Sequence, residues 1–322
     1  MSSPVAVVGT GLVGGGWAIV FARAGHEVRL HDQAAGVAGQ ARAEIAARLD
    51  DLRDAGLLDE PPAAVLARIR VADTLAEATA GAAYVQESVF ERVEAKRVLM
   101  SALDAVLGPD TLVGSSSSGI AASRFTEHVA CRARCLVAHP VNPPYLAPIV
   151  ELVPAPWTAP EALAAVRALM AAVGQVPVTL AREAEGFVLN RLQGVLLMEA
   201  WRLAESGLAS VADIDRTVSD GLGLRWAFMG PFETIDLNAP GGVADYAHRL
   251  GGLYRDIAAS TAEHRAWDDA VIATVEAQRR EALPADGLAA RRAWRDRRLM
   301  ALARHKHEMD RIDAQRPPDA PP

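Results

Sequence analysis

Short apolar runs alternate with helically spaced stretches over the first half of this chain. Val5-Ala6-Val7-Val8 is rich in β-branched residues and stops at Gly9-Thr10-Gly11-Leu12-Val13-Gly14. Helical spacing follows over 16–24, Gly25 reads as its C-cap, and Glu27-Val28-Arg29-Leu30-His31-Asp32 reads as a second strand. The pattern predicts a β-α-β unit. Residues 34–80 are alanine-rich, carry charges at helical spacing and break at Pro61-Pro62, which predicts two helices that could project as an arm. Tyr84-Val85-Gln86, Leu112-Val113 and Leu136-Val137-Ala138 are further short strands. Ile149-Val150-Glu151-Leu152-Val153 and Val176-Pro177-Val178-Thr179-Leu180 should pair at the far edge, with a helix over 160–173 between them. Such alternation predicts an α/β fold with an open, mostly parallel, doubly wound sheet. After Gly186 no strand pattern recurs, and 187–204 is a long amphipathic segment. The domain boundary is expected near Ala184-Glu185-Gly186, giving a sheet domain over 1–184 and a helical one over 185–322. The polar, proline-rich tail 315–322 is expected to be disordered.

Composition narrows the function classes. With 322 residues, 51% of them hydrophobic, the chain can bury a sizeable core. A net charge of −7 leaves no broad basic surface and argues against a nucleic-acid partner. Basic residues are nearly all arginine; Lys96 and Lys306 are the only lysines. Cys131 and Cys135 are too few for a disulfide framework and read as small, semi-buried residues of a reducing compartment. The run at Val5 lacks a basic leader, and charges interrupt every apolar stretch before the length of a membrane span. A cytoplasmic protein without membrane contact is expected.

The glycine motif gains specificity from its context. It follows a strand, opens a helix, and has Asp32 at the end of the second strand, the arrangement of a Rossmann-type dinucleotide site. Gly9 would permit the tight turn, Gly11 the approach of a diphosphate to the helix N-terminus, and Gly14 the packing of helix on strand. A carboxylate at Asp32 favours NAD over NADP, because it accepts ribose hydroxyls and repels a 2′-phosphate. The second constellation is His139, at the end of one apolar run, and Glu151 inside the next. An imidazole oriented by a carboxylate can remove the proton of an alcohol, which points to a dehydrogenase. Ser118 ends a run of four serines at a strand's C-terminal end, where doubly wound sheets place their ligands. The serines could also simply cap a loop and helix. Asn190 lies on an apolar helical face and needs a polar partner, either substrate or a neighbouring helix.

With these residues assembled, the chain resembles the 3-hydroxyacyl-CoA dehydrogenase superfamily, and within it the lambda-crystallin branch, over residues 4–309. The stretches that carry the resemblance are Gly11-Leu12-Val13-Gly14, Ser115-Ser116-Ser117-Ser118, the segment Val137-Ala138-His139-Pro140-Val141-Asn142-Pro143-Pro144, Gly186-Phe187-Val188-Leu189-Asn190-Arg191-Leu192-Gln193 and Ser219-Asp220-Gly221-Leu222-Gly223. The resemblance implies a catalytic set of Ser118, His139, Glu151 and Asn190, and NAD contacts at Leu12, Val13, Asp32, Glu91 and Lys96. Ser116 is placed with the cofactor set, and no metal is expected. By spacing alone, Glu91 and Lys96 would be an exposed ion pair on a helix. The resemblance further implies an all-helical C-terminal domain that binds substrate and forms a homodimer. The implied activity is NAD-dependent oxidation of a 3-hydroxy acid, L-gulonate foremost. Carnitine, 3-hydroxybutyrate or a 3-hydroxyacyl-CoA are alternatives, and a non-catalytic crystallin-like protein is a remote one. The segment after the second strand carries Asp50, Asp51, Asp54, Asp59 and Glu60 among its arginines and no lysine, which disfavours the phosphates of CoA. A free acid needs a cation for its carboxylate, and Arg225 is the candidate, unless it pairs with Asp220 or Glu233.

Overall fold

The computed structural model describes residues 3–260 and 267–315. The tail expected to be disordered lies, beyond 315, outside the described residues. Among the described residues eight strands form one sheet: β1 (Val5–Val8), β2 (Val28–His31), β3 (Ile69–Val71), β4 (Tyr84–Glu87), β5 (Leu112–Ser115), β6 (Cys135–Pro140), β7 (Ile149–Pro154) and β8 (Val176–Thr179). Their order is β3-β2-β1-β4-β5-β6-β7-β8, and every neighbouring pair is parallel except β6 with β7. The direction of winding reverses between β1 and β4, so the crevice beyond their C-terminal ends is where a sheet of this topology binds its ligand.

Helices α1 (Leu12–Arg23), α2 (Val37–Asp54), α3 (Pro62–Ala67), α4 (Leu75–Thr79), α5 (Val93–Asp104), α6 (Ser123–Thr126) and α7 (Pro160–Ala172) cover both faces. Burial on both faces explains why β1 is continuously apolar rather than alternating. One face packs Trp17, Phe21, Ile45, Leu49 and Tyr84 into a core, and the other packs Val85, Met100, Leu103, Phe125 and Phe187. Two expectations for 34–80 are corrected. The segment contains the edge strand β3, three residues too short to announce itself by period. The long helix α2 is not a free arm either, because its Ile45, Leu49 and Leu52 are fully buried in the α1-side core.

The remaining helices are α8 (Leu189–Glu205), α9 (Val211–Arg216), α10 (Gly223–Trp226), α11 (Pro231–Leu237), α12 (Gly242–Ser260), α13 (Asp269–Ala282) and α14 (Leu288–Ala314). By contacts the chain divides into one unit of 1–191 with 295 onward, and a second of 192–294. The divide thus falls a few residues beyond Ala184-Glu185-Gly186. From Arg295 on, α14 belongs with the sheet, where Leu299 and Met300 join the α1-side core.

Candidate active site

Alternation along the strands sorts the polar side chains at their C-terminal ends into two networks, one on each face. Gln86 and Glu87 are neighbours in β4 and point to opposite faces; the four serines that follow β5's core do the same.

On the α5 face, the Glu87 and Lys96 side chains are 0% and 1% exposed, and Lys96 Nζ lies 2.9 and 3.0 Å from the two Glu87 carboxylate oxygens. Glu87 also accepts from the Val89 N–H at 2.7 Å and from the hydroxyl of Ser115, its register partner in β5. Every lone pair aimed inward is therefore met, which is the condition for two charges to survive burial. Lys96 Nζ also reaches Glu91 Oε2 at 3.4 Å. Glu91 Oε1 accepts from the Ser117 hydroxyl at 2.7 Å and from the backbone N–H groups of Ser118 and Gly119 at 2.8 and 3.1 Å. Burial pushes the Glu91 carboxyl up, but the Ser117 hydroxyl, Lys96 and the two N–H groups outweigh it and hold the group below its ordinary range. The exposed ion pair read from spacing is thus corrected. Lys96 is buried between the buried Glu87 and the solvent-exposed Glu91, which holds the Ser117-Ser118-Gly119 turn, and its ammonium is committed to these two carboxylates. Glu87, which anchors it, gave no signal in the sequence beyond being an acid at the end of a strand.

On the α1 face, Ser116 Oγ accepts from Trp17 Nε1 at 3.1 Å and from Gln86 Nε2 at 2.7 Å, and lies 2.8 Å from Ser88 Oγ. The hydroxyl expected to meet the cofactor is engaged by protein groups on all sides.

The glycine turn has the shape a diphosphate needs. Gly9 has φ +87°, and a Cβ there would lie 2.6 Å from the Ser88 backbone; one on Gly14 would lie 2.0 Å from the Gly9 carbonyl oxygen. A Cβ on Gly11 would meet nothing within 4 Å, so the open room lies at the N-terminus of α1, whose first N–H groups have no intrahelical acceptor. Leu12 is exposed at this mouth and Val13 packs beneath it. Asp32 Oδ2 accepts from Thr10 N–H and Oγ1 at 2.8 and 3.1 Å, and Oδ1 accepts from Ala34 N–H at 3.0 Å. The carboxylate is thereby held at the lip of the turn with lone pairs left for a ribose diol. These residues fit a dinucleotide. Among the described residues no cluster of His, Cys, Asp and Glu could hold a metal ion.

The histidine and its carboxylate are brought together by register. His139 in β6 stands directly opposite Glu151 in antiparallel β7, so both side chains leave the same face. Nδ1 of His139 lies 2.8 Å from Glu151 Oε2, with the side chains 7% and 3% exposed. The second carboxylate oxygen accepts from the Val188 and Leu189 N–H groups at 2.8 and 2.9 Å, at the start of α8. Both N–H groups are aimed by a left-handed turn at Gly186 (φ 73°) and Phe187 (φ 52°). Phe187, a bulky residue in a region that disfavours side chains, is held there by burial, its ring 5.6 Å from that of His139. Burial raises the Glu151 carboxyl, but hydrogen bonds from His139 and the two N–H groups prevail and keep it below the ordinary range. An ionised Glu151 accepts from Nδ1–H, which leaves Nε2 as the basic nitrogen, bonded to no protein group among the described residues. One residue further along α8, Asn190 Nδ2 donates to the Ser118 carbonyl at 2.5 Å. The start of α8 therefore links the His139–Glu151 pair to the Ser118 turn. Arg225 is exposed on α10 in the second unit, and among the described residues no ion pair ties it to Asp220 or Glu233.

Cys131 and Cys135 are free and buried, Sγ to Sγ 3.7 Å, away from these networks. No helix among the described residues is long and apolar enough to cross a membrane.

A glycine turn at the switch point of a doubly wound sheet, with an oriented imidazole at neighbouring strand ends, defines the class of dinucleotide-dependent dehydrogenases with a Rossmann-type cofactor domain. Comparison with known proteins narrows the class. Residues 4–184 match the 3-hydroxyacyl-CoA dehydrogenase NAD binding domain, and residues 186–277 match the C-terminal domain of the same family. The chain is 43% identical to the lambda-crystallin homolog of Bos taurus, over 95% of this chain and 96% of that protein. It is 42% identical to an L-carnitine dehydrogenase of Streptomyces griseus, over 76% of this chain and 72% of that one. Among solved structures, 5-formyl-3-hydroxy-2-methylpyridine 4-carboxylic acid 5-dehydrogenase superposes with a TM-score of 0.79 at 26% identity, covering 94% of this chain and 98% of that one. The chain belongs to the 3-hydroxyacyl-CoA dehydrogenase family and is an NAD-dependent oxidoreductase acting on CH–OH groups.

Proposed function

We propose that the protein oxidises a free 3-hydroxy acid to the 3-keto acid, with L-gulonate the foremost candidate and carnitine or 3-hydroxybutyrate the nearest alternatives. The observation that carries the chemistry is the buried 2.8 Å contact of His139 Nδ1 with Glu151. It fixes the tautomer and presents Nε2 as general base to the substrate hydroxyl. Glu151 then stabilises the imidazolium, the division of labour known from other histidine–carboxylate pairs. Gly9, Gly11, Leu12, Val13, Gly14 and Asp32 would hold NAD, which would supply the hydride acceptor for oxidation of the carbinol carbon. Ser118, its turn held by Glu91, hydrogen-bonds the substrate oxygen, and Asn190 holds that turn while offering its amide oxygen to substrate or cofactor. Lys96 acts through Glu91 rather than by touching the cofactor. With this set complete, a purely structural crystallin-like role is disfavoured.

A free acid is favoured over a CoA thioester because three of the four arginines after the second strand that could receive CoA phosphates are already paired with acids, Arg70 being the exception. Arg48 pairs with Glu44, Arg53 with Asp50 and Asp54, and Arg68 with both oxygens of Glu60. The substrate carboxylate is assigned to Arg225, exposed and without those acidic partners. Arg225→Met should raise KM for the free acid and lower kcat/KM about 10- to 100-fold with little change in NADH affinity or melting temperature. The helical unit is read as the surface for a second copy of the chain, giving a homodimer. The substrate test is NADH formation with gulonate, 3-hydroxybutyrate, L-carnitine and 3-hydroxybutyryl-CoA side by side. A strong preference for the thioester would overturn the free-acid reading, and no turnover with any of them would restore the structural one.

A further inference from the structure

We propose that Ser88, at the end of β4, is a cofactor-binding residue whose hydroxyl proton is aimed at an acceptor oxygen of the bound dinucleotide. The direction of that proton follows from counting donors. The phenol of Tyr84 lies 2.6 Å from Gln86 Oε1, and Gln86 Nε2 faces the Ala138 carbonyl at 3.4 Å as well as Ser116 Oγ at 2.7 Å. A carbonyl can only accept, so the amide nitrogen must be on that side and the amide oxygen toward the phenol. Burial holds Tyr84 in its protonated, donating form. Ser116 Oγ thus receives one N–H from Gln86 and a second from Trp17 Nε1, an indole that can only donate. A hydroxyl has two acceptor sites and one proton, so both acceptor sites of Ser116 are filled. Its proton must then go to Ser88 Oγ, 2.8 Å away. Ser88 accepts that proton, and its own meets no acceptor among the described residues. The chain Tyr84–Gln86–Ser116–Ser88 is therefore a one-way series of donors with a free O–H at its end.

The end of the series lies in the right place. Ser88 N–H donates to the Val8 carbonyl at 2.7 Å, and the Ser88 backbone is what a Cβ on Gly9 would strike. Ser88 thus stands half-buried between β1 and β4 at the reversal of winding, against the glycine turn. A donor there suits the phosphate or ribose oxygens of NAD. Ser116 then orients Ser88 rather than touching the cofactor. The assignment depends on NAD binding and not on which hydroxy acid is oxidised.

The test is NADH affinity of the apoprotein, read by fluorescence titration, with the melting temperature of the same samples. Ser88→Ala should raise the NADH Kd about five- to tenfold, the size of one hydrogen bond, with the apoprotein melting close to wild type. Ser116→Ala should instead lower the melting temperature, because Trp17 and Gln86 lose their shared acceptor, and should raise Kd by less than Ser88→Ala does. Wild-type NADH affinity in Ser88→Ala overturns the proposal. So does a larger loss of affinity in Ser116→Ala, which would put the ligand contact at Ser116.

Discussion

The sheet unit and the helical unit solve opposite problems. In the sheet unit, helices close both faces, and most polar side chains that remain inside are paired, His26 Nδ1 and Gln175 Oε1 being exceptions. Between 192 and 294, Val211 is the only buried hydrophobic residue among those described, and α12 and α13 bury none. Phe232 is 78% exposed there, Leu208 76%, Val195 69%, and Phe228 and Leu237 68% each. A helical segment of about a hundred residues cannot hold its fold on one buried aliphatic side chain, and apolar surface on this scale marks an interaction site. The difference separates two sources of order: internal packing places the chemistry, whereas the helical half needs burial from outside its own core, which we assign to a second copy of the chain.

The largest effect is expected where the sheet unit is most committed. Lys96→Met leaves Glu87 buried without its cation and should destabilise the protein by about 3–5 kcal/mol in denaturant unfolding. A loss below about 1 kcal/mol would mean that Lys96 and Glu87 behave like a surface pair, and the contrast between the units would weaken. Next comes the helical face. Wild type should size as a dimer at micromolar concentration by light scattering, and Phe228→Ser with Phe232→Ser should shift it toward monomer while leaving NADH binding by the sheet unit in place. A wild-type monomer would remove the second copy. The smallest effect is on acid stability. Glu151 and Glu91 are held below their ordinary range in the folded chain. The stability they contribute is therefore full above the unfolded carboxylate pKa and is lost as pH falls through the lower folded values. Glu151→Gln should flatten that acid limb, and an unchanged melting profile below about pH 4.5 would contradict the assignment.

Much of the sheet unit was legible because its signals are local. The β1 turn, α1 and Asp32 follow one another within a single β-α-β unit, and His139 and Glu151 occupy adjacent apolar runs that pair in register. What escaped depends on contacts between residues far apart in sequence. β3 is three residues long and is defined by its pairing with β2. Glu87 looks like any acid at a strand end until Lys96 and Ser115 close on it. Ser116 reads like its three serine neighbours until Trp17, ninety-nine positions away, fills its second acceptor site. The alternation of faces along β4 and β5 was the available clue, since it sends Ser115 and Ser117 to one network and Ser116 to the other.

The most direct test of the central claim is kcat for NADH formation by His139→Asn, measured with its NADH Kd. The expected result is a fall of about 10²–10⁴-fold in kcat with near-normal cofactor affinity and folding, because only the base is removed. Turnover within a few-fold of wild type would show that the substrate proton leaves by another group, and that His139 and Glu151 are not the acid–base pair.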